Sequence, residues 1–230
     1  MTKIFCDIAD INLIKKFNKK KIVKGFTTNP SLIRKAGAKN YSEYCKKILK
    51  ITKKTISFEV FADDSKSIIK QANIIKDWGR NVYVKVPVTN SKGLFLGNVI
   101  KELNKKNIKL NITAVYTADQ TSKILKKINR KSKIIISIFA GRMADKGKDP
   151  IPEFKKSIKL AKKYKNVEIL WASVREPYNF LQAKQLGCQI ITVPPSIIEK
   201  IEKFGKSFEK LTLDTVKTFL DDSKKSNFKI

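Results

Sequence analysis

Asn81-Val82-Tyr83-Val84-Lys85-Val86-Pro87 is a β-branched run with a charge inside it. Side chains alternate along a strand, so Val82, Val84 and Val86 take one face and Tyr83 and Lys85 the other. Elsewhere lysine lies mostly in polar runs such as Lys15-Lys16 and Lys19-Lys20-Lys21. An ammonium enclosed by a strand must be paired, or must give up its proton and become reactive. Lys85 is therefore a candidate Schiff-base nucleophile, set against the plainer reading of a charge on an edge strand.

Seven further short β-branched runs can be laid beside this one, at 3–9, 22–26, 55–61, 108–113, 133–139, 167–173 and 189–193. Lys-rich amphipathic stretches fill the gaps, among them Ser65 to Trp78, Ser91 to Asn104 and Glu153 to Tyr164. Eight strand–helix units fit an α/β fold of the (β/α)8 TIM-barrel type, whose usual length is about 250 residues. A doubly wound open sheet is the alternative, but it favours a Gly-rich phosphate loop after the first strand. Cys6-Asp-Ile-Ala-Asp-Ile-Asn12 contains no glycine. Residues 1–230 are expected to form a single barrel domain, with 211–225 an extra C-terminal helix and 226–230 a polar tail. That helix has two places to pack, on its own barrel or on a neighbouring subunit.

The formal charge is +30, from 50 Lys+Arg against 20 Asp+Glu. Such a surface invites a polyanion- or nucleic-acid-binding reading. Against it, the lysines are spread over the polar positions of the helical stretches, and no aromatic-interleaved basic motif stands out. Arginine, suited to bidentate phosphate recognition, occurs five times only. No nucleic-acid partner is expected. Histidine is absent, which removes Ser-His-Asp and Cys-His catalysis and every imidazole metal site. Cys6, Cys45 and Cys188 have no C-x-x-C spacing, so neither a disulfide framework nor a zinc site is indicated. The N-terminus lacks a signal-peptide layout and no apolar run approaches a membrane span, so the expectation is a soluble, cytoplasmic protein with no membrane partner.

Strand parity sorts the remaining candidates. Ile4, Cys6 and Ile8 oppose Phe5 and Asp7; Ile56, Phe58 and Val60 oppose Ser57, Glu59 and Phe61. Leu110 and Ile112 oppose Asn111 and Thr113; Ile134, Ile136 and Ile138 oppose Ile135, Ser137 and Phe139. In a barrel the uniformly apolar face turns outward to the helices. The other face turns inward, with its polar members near the C-terminal ends, where barrel active sites lie. A buried Ser, Thr or Asn alone is usually a satisfied core group. An Asp, a Glu and a Lys repeating the pattern on three strands form either an internal ion network or a functional site. Gly25-Phe-Thr-Thr-Asn-Pro-Ser31 follows the second strand, with Asn29 extended before Pro30 and Pro30 opening a helix. Phe139-Ala-Gly-Arg142 and Ala172-Ser-Val-Arg175 place two of the scarce arginines just past strands six and seven, a region that commonly binds phosphate in barrels.

Together these segments resemble the transaldolase family, in particular its short, barrel-only members and the similar fructose-6-phosphate aldolases. The resemblance runs from Phe5-Cys-Asp7 through Gly25-Phe-Thr-Thr-Asn-Pro30, Val84-Lys-Val-Pro-Val-Thr89, Asn111-Ile-Thr-Ala-Val115 and Ile138-Phe-Ala-Gly-Arg-Met143 to Ala172-Ser-Val-Arg175. It implies a class I aldolase-type barrel in which Lys85 forms the Schiff base on a ketose phosphate. Asp7 would exchange the proton of the C4 hydroxyl, and Glu59 and Thr113 would hold the water that shuttles protons. Thr27, Asn29, Asn111 and Ser137 would bind the substrate, chiefly the retained dihydroxyacetone unit. Arg142, Ser173 and Arg175 would hold the terminal phosphate. The implied donors are fructose 6-phosphate or sedoheptulose 7-phosphate, in the pentose phosphate pathway, and the implied assembly is a homo-oligomer. The resemblance also implies that no metal or cofactor is needed.

Glu59, Asn111, Ser137, Phe139 and Arg175 resemble the transaldolase branch, where the enamine waits for a sugar-phosphate acceptor. With phenylalanine at 139, the water network lacks a phenol that would quench the carbanion. Val84-Lys-Val-Pro-Val-Thr89 and Thr113-Ala-Val-Tyr116 resemble the aldolase branch as much, so an aldolase releasing free dihydroxyacetone is the alternative. Val174 replaces a larger residue of the family, and Lys146-Gly-Lys-Asp-Pro150 is unusually basic.

Overall fold

The computed structural model describes residues 1–226 and 228. Eight strands close into a barrel: β1 Lys3–Asp7, β2 Val23–Thr27, β3 Thr55–Glu59, β4 Val82–Pro87, β5 Leu110–Val115, β6 Ile134–Phe139, β7 Val167–Ala172 and β8 Ile190–Val193. Every neighbouring pair is parallel, and β8 returns to β1. Helices alternate with the strands, so the TIM-barrel expectation holds, with each strand within a residue or two of its sequence reading.

Parity divides the interior as expected. Outward residues such as Cys6, Phe58, Val84, Ile112, Ile136 and Trp171 join the helices' apolar stripes in one large core. Side chains of this kind, fully buried, contribute roughly 1.5–3 kcal/mol each. A smaller inner cluster of Phe5, Tyr83, Ile135, Leu170, Ala172 and Ile190 plugs the barrel axis. Gly25 makes room for it: a Cβ there would stand 2.7 Å from the Phe5 ring.

One helix starts later than its amphipathic pattern suggests. The stretch read from Ser91 is helical only over Gly97–Lys105. Residues before it form a turn in which the Asn90 side chain accepts from Lys92 N and Leu94 N, Gly93 takes φ 78°, and Thr89 pairs with Phe95. The Asx-type turn satisfies these amides locally and outcompetes a first helical turn.

The C-terminal helix spans Phe208–Ser226, longer at its start than the expected 211–225. None of its residues is buried, so it does not pack on its own barrel. Ser226 belongs to this helix; apart from Phe228, the rest of the tail expected over 226–230 lies outside the described residues. Cys6, Cys45 and Cys188 are buried free thiols. No helix among the described residues is long and apolar enough to cross a membrane.

Candidate active site

A cavity of about 640 Å³ opens at the C-terminal ends of the strands and collects all but one of the twelve candidate residues. Its centre is Lys85 on β4, only 7% exposed. Register sets the neighbourhood: Glu59 of β3 and Asn111 of β5 are the Cα partners of Lys85 on either side. The Lys85 Nζ lies 3.0 Å from Glu59 Oε2 and donates to the Thr28 carbonyl at 3.1 Å. The lysine is thus an inner-wall residue of a closed barrel, which removes the edge-strand reading. Glu59 is held from behind by Tyr41, whose hydroxyl donates to the Glu59 carbonyl at 2.8 Å and accepts from its N–H at 3.0 Å.

Asp7, at the end of β1, accepts from the Thr27 hydroxyl at 2.6 Å, and Thr27 in turn contacts the Thr192 hydroxyl at 2.5 Å. Burial pushes the Asp7 carboxyl above the ordinary range; the Lys85 charge and the Thr27 hydrogen bond pull the other way and only partly offset it. Such a carboxylate is a better proton acceptor than an exposed one. Thr113 ends the inward face of β5, and its buried hydroxyl has no hydrogen-bond partner among the described residues. Next to it β5 bulges, with Ala114 at φ 58° and the register to β6 shifting between Ile112 and Val115.

Asn29 is extended at φ −154° and caps the helix Pro30–Lys35 through Oδ1, which accepts from Leu32 N at 2.9 Å. Its amide nitrogen takes no part in that cap, and Asn29 lines the cavity. Ser137 donates to Asn111 Oδ1 at 2.7 Å, and Asn111 Nδ2 donates to Ser57 at 3.0 Å. Asn111 is the candidate that does not line the cavity; it lies fully buried beneath Ser137 and fixes it.

At the far rim Arg142 sits with its guanidinium carbon 5.3 Å from the Phe139 ring centroid. Arg175 is not a free cation: its Nε and a terminal nitrogen donate to both oxygens of Asp145, at 2.9, 3.1 and 2.5 Å. That guanidinium holds the Asp145 carboxyl below the usual range. Ser173 between them takes φ 62°, a strained conformation for a residue with a Cβ. Gly141 is required here, since a Cβ would meet the Ser173 carbonyl oxygen at 1.7 Å.

Sequence reasoning missed three participants. Thr192 on β8, which extends the Asp7–Thr27 chain, was discoverable from its parity with Ile190. Lys35 adds a cation to the rim one turn beyond the Asn29-Pro30 helix start. Asp145, the partner of Arg175, lies 30 residues away on a different loop, and no local pattern announces it.

The family model described as "Transaldolase/Fructose-6-phosphate aldolase" matches residues 4–230. A "Probable transaldolase" from Thermoanaerobacter sp. (strain X514) is 34% identical over 229 residues, covering 99% of this chain and 100% of the relative. Another so named, from Thermoplasma volcanium, is 35% identical over 226 residues, covering 97% and 96%. Among solved structures, a dihydrodipicolinate synthase family protein from Coccidioides immitis superposes with a TM-score of 0.64 at 11% identity, covering 92% of this chain and 75% of its own, a likeness of fold alone.

Proposed function

The chain belongs to the transaldolase/fructose-6-phosphate aldolase family, and from that premise we propose that it is a transaldolase moving a dihydroxyacetone unit between sugar phosphates through a Schiff base on Lys85. The observation that carries this reading is the Lys85 ammonium, enclosed in the barrel wall 3.0 Å from Glu59 and within the field of Asp7. Glu59 takes the ammonium proton, directly or through a water shared with the Thr113 hydroxyl. The freed amine attacks C2 of a ketose phosphate such as fructose 6-phosphate or sedoheptulose 7-phosphate. The carbinolamine loses water to give an iminium, which withdraws electrons from the adjoining carbon–carbon bond. Asp7 accepts the C4 hydroxyl proton as C3–C4 breaks. The bonding pair passes into an enamine, and the shortened aldose phosphate leaves. An acceptor aldehyde then reverses these steps, taking the proton back from Asp7.

Asn29 and Ser137, the latter positioned by Asn111, hold the hydroxyls of the retained unit, and Thr27 orients Asp7. Arg142, Ser173 and Arg175 receive the terminal phosphate. Phe139 is the observation that favours transfer over release: it lines the cavity beside Ser137 and brings no hydroxyl. An aldolase releasing dihydroxyacetone remains the second reading, on the same Lys85 chemistry.

The exposed helix Phe208–Ser226 supports a homo-oligomer. Phe208, Leu211, Val216 and Phe219 recur at helical spacing and are 46–85% exposed, an apolar face suited to another subunit. Borohydride trapping with fructose 6-phosphate, read by intact mass and peptide mapping, tests the activity. A reduced three-carbon adduct on Lys85, absent from Lys85→Met, is the expected result. No adduct on any lysine would leave a barrel with an internal ion network and no covalent chemistry.

A further inference from the structure

The other end of the barrel carries a second cavity, of about 700 Å³, at the N-terminal ends of the strands. Its floor is the inner plug, with Phe5, Tyr83 and Ile135 presenting their lower sides to it while Asp7, Lys85 and Ser137 stand one inward position above. Six cations surround it: Lys3, Arg130, Lys131, Lys133, Lys163 and Lys165. Against them stands one acid, Glu168, and it is already engaged by Lys3 at 2.5 Å. The chain as a whole has 50 cations to 20 acids, so this mouth is more one-sided than a uniformly lysine-rich surface would be.

The cations are also arranged in advance. Arg130 and Lys131 precede β6, Lys163 and Lys165 precede β7, and side-chain amides stitch the two loops together. Asn166 Nδ2 donates to the carbonyls of Asn129 at 3.0 Å and Ser132 at 2.7 Å. Asn104 donates to the Ser132 hydroxyl at 2.7 Å and accepts from Asn129 N at 2.6 Å. The Arg130 guanidinium carbon lies 5.7 Å from the Tyr164 ring centroid, a cation–π contact that restrains the side chain. Burial and the neighbouring Glu168 push the Tyr83 phenol up to about 12, and its hydroxyl is a neutral donor at the floor of this mouth. Like charges gathered on ordered loops repel one another, and an anion that bridges them relieves that repulsion.

We propose that this lower mouth is a binding site for a compact polyphosphate group, carried either by inorganic polyphosphate or by a nucleoside triphosphate. The proposal is independent of the chemistry at Lys85. A chain of three or more phosphates offers a separate anionic group to the cations of each loop, where a monophosphate offers one group to share among them. Charge-assisted hydrogen bonds from Arg130 and the lysines supply the affinity, and the aromatic floor excludes water from one side.

The test is calorimetric titration with inorganic tripolyphosphate at physiological ionic strength. An Arg142→Ala/Arg175→Ala background removes both arginines of the opposite mouth, leaving Lys35 and Lys85 there unchanged in every variant compared. Saturable one-site binding is expected. Lys131→Glu/Lys163→Glu should weaken it by about tenfold or more, as expected when two charge-assisted contacts are reversed. Lys46→Glu/Lys47→Glu, on the exposed side of the helix Tyr41–Ile51 and changing net charge equally, should leave affinity within about twofold. Arg130→Ala, a milder change on an exposed loop, should weaken binding in the same sense. ATP binding as tightly as tripolyphosphate assigns the contacts to the phosphates. ATP binding more tightly assigns the site to a nucleotide with its base on the aromatic floor. Absence of saturation with both ligands overturns the proposal, as does an equal loss in the Lys46/Lys47 control.

Discussion

Glu59→Gln tests the proposed chemistry most directly, because the substitution keeps the shape and removes the charge. The Tyr41 hydrogen bonds go to the Glu59 backbone, so the strand end stays in place. At 3.0 Å the Lys85–Glu59 attraction is about 5 kcal/mol for an effective dielectric of ~20. Both side chains retain some contact with solvent, 9% for Lys85 and 17% for Glu59, and both were desolvated to form the pair. Those costs offset more than half of the attraction, leaving a net loss of about 2 kcal/mol in the variant. For a chain of this length that lowers Tm by roughly 4–8 °C. The kinetic effect is larger. Glu59 is the only acid in direct contact with Nζ among the described residues, and a positioned proton acceptor is worth about 10²–10⁴-fold. Single-turnover borohydride trapping should show adduct formation on Lys85 slowed within that range, while fructose 6-phosphate still binds. A melt lowered as expected but a trapping rate within threefold of wild type would refute the assignment of Glu59 to proton transfer and leave it as Lys85's structural counter-ion.

Phe139→Tyr places a phenol at the cavity wall; release of free dihydroxyacetone should rise by about tenfold or more relative to transfer, measured by coupled reduction of the released ketone. An unchanged ratio would count against the role given to the missing hydroxyl. Gly141→Ala drives a Cβ to 1.7 Å from the Ser173 carbonyl, and backbone cannot yield as a side-chain end can. Stability should fall by more than about 3 kcal/mol, and KM for sugar phosphates should rise; a near-wild-type melt would show that the loop pair moves freely. Asp7→Asn keeps the Thr27 acceptor and removes a carboxyl whose native pKa is raised above 3.8 by burial. A raised acid binds its proton more tightly folded than unfolded, so its stabilising effect is present below 3.8 and lost as pH rises through the native value. The variant should therefore gain stability relative to wild type as pH moves from below 3.8 toward neutrality, while losing turnover. A pH-independent difference in Tm would mean that Asp7 is not held up by burial.

The barrel was legible because its strands are bounded by Lys-rich helices, and because outward residues are apolar without exception where parity was used. The helix start at Ser91 was misread because amphipathic spacing outweighed Asn90 and Gly93, which are turn residues with a definite mechanism. Within the site, residues that project from strand ends were found by parity, while their depth was not. Asn111 shares its face with Thr113, yet lies beneath the cavity and supports Ser137. Arg175 was found as a scarce cation at a barrel loop, but its union with Asp145 depends on how two loops approach each other, which no window along the chain reports.

The position of each residue along its strand explains why the chemistry could be read at all. On β1, β4 and β6 the earlier inward position is a packing residue, Phe5, Tyr83 or Ile135, and the next is functional: Asp7, Lys85 or Ser137. Ile190 and Thr192 repeat the arrangement on β8. Two residues along a strand are one layer along the barrel axis. The apolar layer therefore forms a floor that keeps the buried charges at the upper mouth together and separates them from the cations at the lower one. A slip of one residue in β4 would turn Lys85 outward into the helical core and bring Val84 to the cavity. The pairing of Glu59 with Lys85 and of Lys85 with Asn111 holds that register from both sides, so the contacts that stabilise the wall also aim the amine.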